Sequence, residues 1–172
     1  AQIRSARVYR TGSIWYPHTI GLPAGAMTHT AAQWTKITPS TSPAFADGGR
    51  LNDPTATAIN GGKWYSYASL SVNANNDMML GFSEFASNQH PAAGYAMRLG
   101  TDAPGTLRDP FIYKVGDDYY HKTFSTTTGR NRWGDFTTVQ VDPCDDQTLW
   151  TLQQYAKTRS SVDDGNTGSP LA

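Results

Sequence analysis

Arg132, Trp133 and Asp135 place a planar cation, a flat aromatic face and a carboxylate within four residues. A guanidinium forks onto carboxylates and sugar hydroxyls, an aspartate accepts hydroxyl protons, and an indole stacks on a sugar ring or a cation. The same residues also read as a structural ion pair beside a core tryptophan, with Gly134 allowing close backbone approach. A second set is His18, His121, Tyr65, Tyr67 and Glu84, on or beside expected inner strands. A histidine or glutamate there could act as acid or base, and the tyrosines would complete a polar, aromatic mouth. Singly, each also reads as a satisfied structural residue. Asp135 and Glu84 are the candidate pair for glycoside hydrolysis, which needs two carboxylates roughly 5 to 9.5 Å apart. A third set, Asp142, Asp145 and Asp146, with Asp163, Asp164 and Asn166 further on, offers oxygens of the kind calcium takes. Neither run has EF-hand spacing, and ordinary Asx turns are the competing reading.

Several chemistries lack a signature. There is no Gly-x-Ser-x-Gly elbow, no His-Glu-x-x-His, no cysteine pair for zinc and no phosphate-binding glycine loop before a helix. Gly48-Gly49 and Gly61-Gly62 read as turn glycines. Cys144 is the single cysteine, so no internal disulfide forms, and its Asp-rich turn points to a structural or unpaired thiol. The 14 Lys and Arg balance the 14 Asp and Glu, which leaves no electrostatic footprint for nucleic acid or anionic lipid. No apolar run approaches the roughly 20 residues of a membrane helix. The chain opens on Ala1 without an initiating Met or signal peptide, which fits processing or an arbitrary boundary.

The elements that would position these residues are strands. Aromatics at 12%, with 16 Gly and 10 Pro, suit short strands and tight turns. Strands are expected over Arg4–Tyr9 and Ser13–Ile20 about Thr11-Gly12, then Ala31–Ile37, a short strand at Arg50-Leu51 after a loop from Pro39, Trp64–Asn73, Met78–Ala86 and Ala92–Leu99. Gly21 to Ala26 reads as a loop. Phe111–Val115 and Tyr119–Phe124 read as a hairpin, and Phe136–Val141 as a strand ending at Asp142-Pro143 before another restarts at Leu149. Residues 160–172 read as a flexible tail.

The pattern repeats. Tyr67–Asn73 answers Phe136–Asp142, Leu80–Ala86 answers Trp150–Ala156, and Ala31–Ile37 answers Ala92–Arg98, at offsets of about 60 to 70 residues. All-strand units of that size imply a radial or stacked β architecture. The expectation is all-β, with four-stranded antiparallel blades of the β-propeller type over residues 1–159. The units run over about 4–51, 65–115 and 133–156, the last half-built. Such an array leaves strand edges to cover, so it is either a fragment or completed by another chain, with a small β-sandwich as the alternative.

Asn131-Arg132-Trp133-Gly134-Asp135-Phe136, Val141-Asp142-Pro143, Leu149-Trp150 and Gln154-Tyr155-Ala156 resemble the last blade of secreted bacterial β-propeller proteins of the sialidase-like, BNR-repeat-like type. Ser69–Asn73, Gly81-Phe82-Ser83 and His18–Pro23 are similar to other parts of them. The repeated Ser-x-Asp-x-Gly-x-x-Trp turn of close sialidases is absent, and the acidic turn ending at Trp150 is a degenerate version. The sialidase arginine triad, Tyr/Glu nucleophile pair and acid Asp do not map onto this chain, so no catalytic role carries over. The resemblance implies a secreted or cell-surface protein; an aromatic-rich, uncharged β surface suits sugar stacking, so the expectation is a module recognising a glycan or another extracellular ligand, with no cofactor beyond calcium, for which the acidic turns are the candidate site. The alternatives are part of a glycoside hydrolase or polysaccharide lyase, and a structural assembly module.

Overall fold

A computed structural model describes residues 5–57, 59, 62–120 and 132–158. Among them every regular element is a β-strand: β1 (Val8–Arg10), β2 (Ser13–Leu22), β3 (His29–Thr38), β4 (Ala44–Leu51), β5 (Trp64–Val72), β6 (Met78–Ala86), β7 (Gln89–Arg98), β8 (Phe111–Lys114), β9 (Thr138–Val141) and β10 (Leu149–Leu152). They form two four-stranded antiparallel sheets, β1-β2-β3-β4 and β5-β6-β7-β8, and a two-stranded sheet of β9 and β10. Each follows chain order, and none closes on itself among the described residues. No helix there is long and apolar enough to cross a membrane.

The repeats noted in the sequence fall on strands of equal rank. Tyr67–Asn73 and Phe136–Asp142 overlap the first strands β5 and β9, Leu80–Ala86 and Trp150–Ala156 the second strands β6 and β10, and Ala31–Ile37 and Ala92–Arg98 the third strands β3 and β7. The first hairpin turn of each sheet carries a non-glycine residue at positive φ: Thr11 (45°), Asn76 (62°) and Asp146 (56°). These turns lock together. Thr11 Oγ1 donates to Asn76 Oδ1 at 2.6 Å, the Ala74 N–H donates to the Asp146 carbonyl at 2.9 Å, and Arg10 pairs with Asp146.

The core lies between the first two sheets. Trp15, Ala32, Trp34 and Leu51 meet Leu70, Leu80, Phe82 and Ala96, all buried. Each large apolar side chain so placed contributes roughly 1.5–3 kcal/mol. Trp15 and Trp34 stack at 5.7 Å, and Arg98 lies 5.6 Å above the Trp34 ring while pairing with Asp47 at 3.2 Å.

Several boundaries differ from the sequence expectation. β2 runs through Gly21 and Leu22 because β3 already pairs there, Leu22 opposite His29, so the loop starts at Pro23. β4 begins at Ala44, since an edge strand tolerates the polar sequence that reads as loop. β7 begins at Gln89 and carries Pro91 where the pairing with β6 shifts register between Glu84 and Ala86, so no ladder N–H is missed. Phe111–Lys114 pairs with β7 instead of Tyr119–Phe124; Tyr119 and Tyr120 are outside any strand, and 121–124 lie outside the described residues. β9 starts at Thr138, because Gly134 takes φ +69° and Asp135-Phe136 turn, which leaves Phe136 exposed. The expected turn at 60–61 and the tail from 160 also lie outside the described residues.

Candidate functional site

β1 is short. It pairs with β2 only from Ser13 to Trp15, so the β2 edge beyond Trp15 is free of that neighbour. Opposite this edge β5 bulges: its pairing with β6 breaks between Ser66 and Ser69, and Tyr67 sits at φ 55°. Residues 134–137 approach from the third side. Between these three segments lies a cavity of about 370 Å³ bordered by His18, Thr19, Ser66, Tyr67, Asp135 and Thr137, together with Ser5, Pro17, Ala68 and Gly134.

A tyrosine at positive φ is costly and persists only where its surroundings over-determine it. Here they do. The Tyr67 N–H donates to Thr19 Oγ1 of the first sheet at 3.2 Å, and its carbonyl accepts from Thr137 Oγ1 at 3.1 Å. Its side chain lies against Gly134, where an added Cβ would stand 2.8 Å from Tyr67 Cβ and closer still to the ring. The Gly134 N–H is held by Gln154 Oε1 at 2.8 Å, and the Ser66 hydroxyl pairs with Thr30 at 2.9 Å. The walls are therefore fixed by bonds among the sheets themselves.

Two polar atoms of residues bordering the cavity are left unpaired. His18 Nδ1 and Ser5 Oγ are buried without a protein partner, a state that buried polar groups rarely tolerate. Burial pushes the His18 imidazolium down, so its ring is neutral at neutral pH and stacks on Tyr16 at 6.0 Å. Asp135 adds a carboxylate, bonded at 2.8 Å to Arg132 on the exposed side.

The structure thus brings His18, Tyr67 and Asp135 together, with Arg132 next to them. Trp133 is corrected from an open stacking face to a pillar. Its ring is buried, its Nε1–H donates to Ser83 Oγ at 2.9 Å, and Phe85 and Tyr120 meet it edge-on at 5.4 and 4.8 Å. Tyr65 is corrected likewise: it is buried against Phe82 at 5.2 Å, and burial, then the charge of Glu84, raise its phenol far above the ordinary range. Glu84 does not border the cavity. It is buried and accepts from Lys63 Nζ at 2.6 Å and Gln89 Nε2 at 2.8 Å, so it forms no pair with Asp135 across the site. His121 lies outside the described residues.

The acidic turn is occupied by its own backbone. Asp142 accepts from the Cys144 N–H at 2.8 Å and Trp150 Nε1 at 3.0 Å, and Asp145 from the N–H groups of Gln147 and Thr148 at 2.8 and 2.9 Å. Asp146 pairs with Arg10. Among the described residues no group of three or more His, Cys, Asp or Glu is placed to hold a metal ion, and Asp163, Asp164 and Asn166 lie outside them. Cys144 is free and exposed.

Ser5, Thr19, Ser66 and Thr137 carried no sequence signal as site residues. Hydroxyl residues in or beside strands read as ordinary β-formers, and only the meeting of β2, β5 and residues 134–137 gathers them around one space. Comparison with protein-family models, curated proteins and solved structures found no match to this chain.

Proposed function

We propose that this chain is a propeller-type module of an extracellular protein that binds a glycan unit, or a similarly hydroxylated small ligand, in the cavity between β2, β5 and residues 134–137. The observation that carries this reading is Tyr67, held in a strained conformation by bonds from Thr19 of the first sheet and from Thr137 just before β9, at the wall of a polar cavity. Backbone strain kept in place this way concentrates at ligand sites. A volume of about 370 Å³ lies at the small end of ligand pockets, a size for one or two sugar rings. Asp135 accepts hydroxyl protons, and the Tyr67 ring gives an apolar surface. Equal-rank strands and equivalent turns in three successive sheets support the propeller type.

Calorimetric titration with a panel of neutral and acidic saccharides tests the reading. Asp135→Asn and Tyr67→Ala are expected to weaken binding at least tenfold, with cooperative thermal melting as the check on the fold. Binding that both variants leave unchanged overturns it.

One observation favours an enzymatic second reading. A neutral His18 bordering the cavity suits proton abstraction from a sugar carbon, as in a polysaccharide lyase, whereas the sequestration of Glu84 removes the carboxylate partner for hydrolysis. Unsaturated products released from acidic polysaccharides by the native chain, and lost in His18→Ala, would establish it; their absence would leave binding alone.

A further inference from the structure

The sheets pack in chain order, and among the described residues the outer faces of the first and third stay open. In the first sheet Trp15, Lys36, Trp34 and Asp47 share a face, as their register requires, and this face meets Leu70, Leu80, Phe82 and Arg98 of the second sheet. The second sheet turns its other face, with Ser69, Gly81 and Ser83, to the third. There Gln153 Nε2 donates to Ser69 Oγ at 2.9 Å, Trp133 donates to Ser83, and a Cβ on Gly81 would strike the Gln153 and Thr151 side chains.

Two faces remain. On the first sheet Tyr9, Ile14, Ile37 and Phe45 are successive cross-strand partners, an apolar row across all four strands, with Tyr9 68% and Phe45 71% exposed. On the third sheet Trp150 and Leu152, opposite Gln140 and Thr138, are 62% and 69% exposed. Ile14 and Trp150 are each the second residue of the second strand of their sheet.

We propose that these faces are the two halves of an interface between two copies of this chain. The third sheet of each copy packs on the Tyr9–Ile14–Ile37–Phe45 row of the other, and the pair closes a ring. The occupant is a second copy because the face that Trp150 and Leu152 lack is the kind that this chain presents at its other end. Two copies bring six of the described sheets, inside the roughly four to eight of radial β assemblies. A formal net charge of zero offers no repulsion to self-association. Because the contact joins different faces, it must close into a ring or grow without end, and the two-copy ring closes it. This interface is independent of what the cavity binds.

Light scattering coupled to size exclusion, run on the 172-residue chain from low to high micromolar concentration, tests it. The expected mass is twice 18.7 kDa. Phe45→Asp and Trp150→Asp, both at exposed positions, are each expected to halve it while thermal melting stays cooperative. Phe111→Asp, at an exposed position on the second sheet, is expected to leave it doubled. A native chain that is monomeric at every concentration, or a dimer indifferent to both face variants, overturns the proposal.

Discussion

Replacing Gly134 by alanine separates two costs that the structure keeps in one place. The residue sits at φ +69°, a conformation that costs an L-residue about 1 kcal/mol relative to glycine. The new Cβ would also stand 2.8 Å from Tyr67 Cβ and nearer to the ring, and Tyr67 cannot retreat because its N–H and carbonyl are bonded to Thr19 and Thr137. Overpacking of this sort adds roughly 1–3 kcal/mol. The sum, about 2–4 kcal/mol, lowers Tm by roughly 4–16 °C in a domain of this size. Gly12 provides the control. It has nearly the same φ, +72°, with nothing within 4 Å of an added Cβ, so Gly12→Ala carries the strain without the clash. Calorimetric melting of both variants is the assay, and Gly134→Ala should lie several degrees below Gly12→Ala. Equal melting temperatures would refute the reasoning, because they would mean that Tyr67 is free to move and the cavity wall is not fixed.

Ser83→Ala removes the acceptor of the buried Trp133 indole and should cost about 1–3 kcal/mol in denaturant unfolding, more than Ser42→Ala on an exposed loop. Lys63→Met strips the buried Glu84 of its cation; with Lys63 about a third exposed, the usual loss for a broken buried pair shrinks to roughly 2 kcal/mol, read by the same method. In acid, hydrogen bonds from Arg108, then from the Leu99 N–H, hold Asp102 down at about 2, and the Thr148 hydroxyl and Gln147 N–H lower Asp145 in the same direction. Groups depressed on folding stabilise fully above the ordinary carboxylate range and lose that contribution as pH falls through it, so melting temperature should decline from about pH 4 toward pH 2. A Tm that is flat or rises over that interval contradicts the assigned bonds.

The strand content, the antiparallel order and the repeat were legible because alternation, turn residues and internal self-similarity are local. Thr11-Gly12, Asn76-Asp77 and the Asp142–Asp146 run mark their turns directly. The errors arose where a partner strand decides. Ala44 to Gly49 is a strand because β3 offers a free edge, and Pro91 is accommodated because the pairing shifts beside it. Site residues divided in the same way. Tyr65 and Tyr67 are two apart, and regular alternation would give them one face. The bulge between Ser66 and Ser69 sends Tyr65 into the core and leaves Tyr67 at the cavity, and nothing in the one-letter pattern encodes it. Trp133 reads in the sequence both as a stacking face and as a core residue, because the acceptor that decides between them, Ser83, lies 50 positions away in the chain.

The measurement that bears most directly on the cavity as a ligand site is a heteronuclear NMR titration of the native chain with the tightest-binding saccharide of the panel, with the His18 ring, Tyr67 and Gly134 as reporters. The account predicts saturable shifts at those three positions and smaller ones along β4 and β8. Shifts confined to exposed aromatics such as Trp150 and Phe111, with His18 and Tyr67 unmoved at saturation, would contradict it.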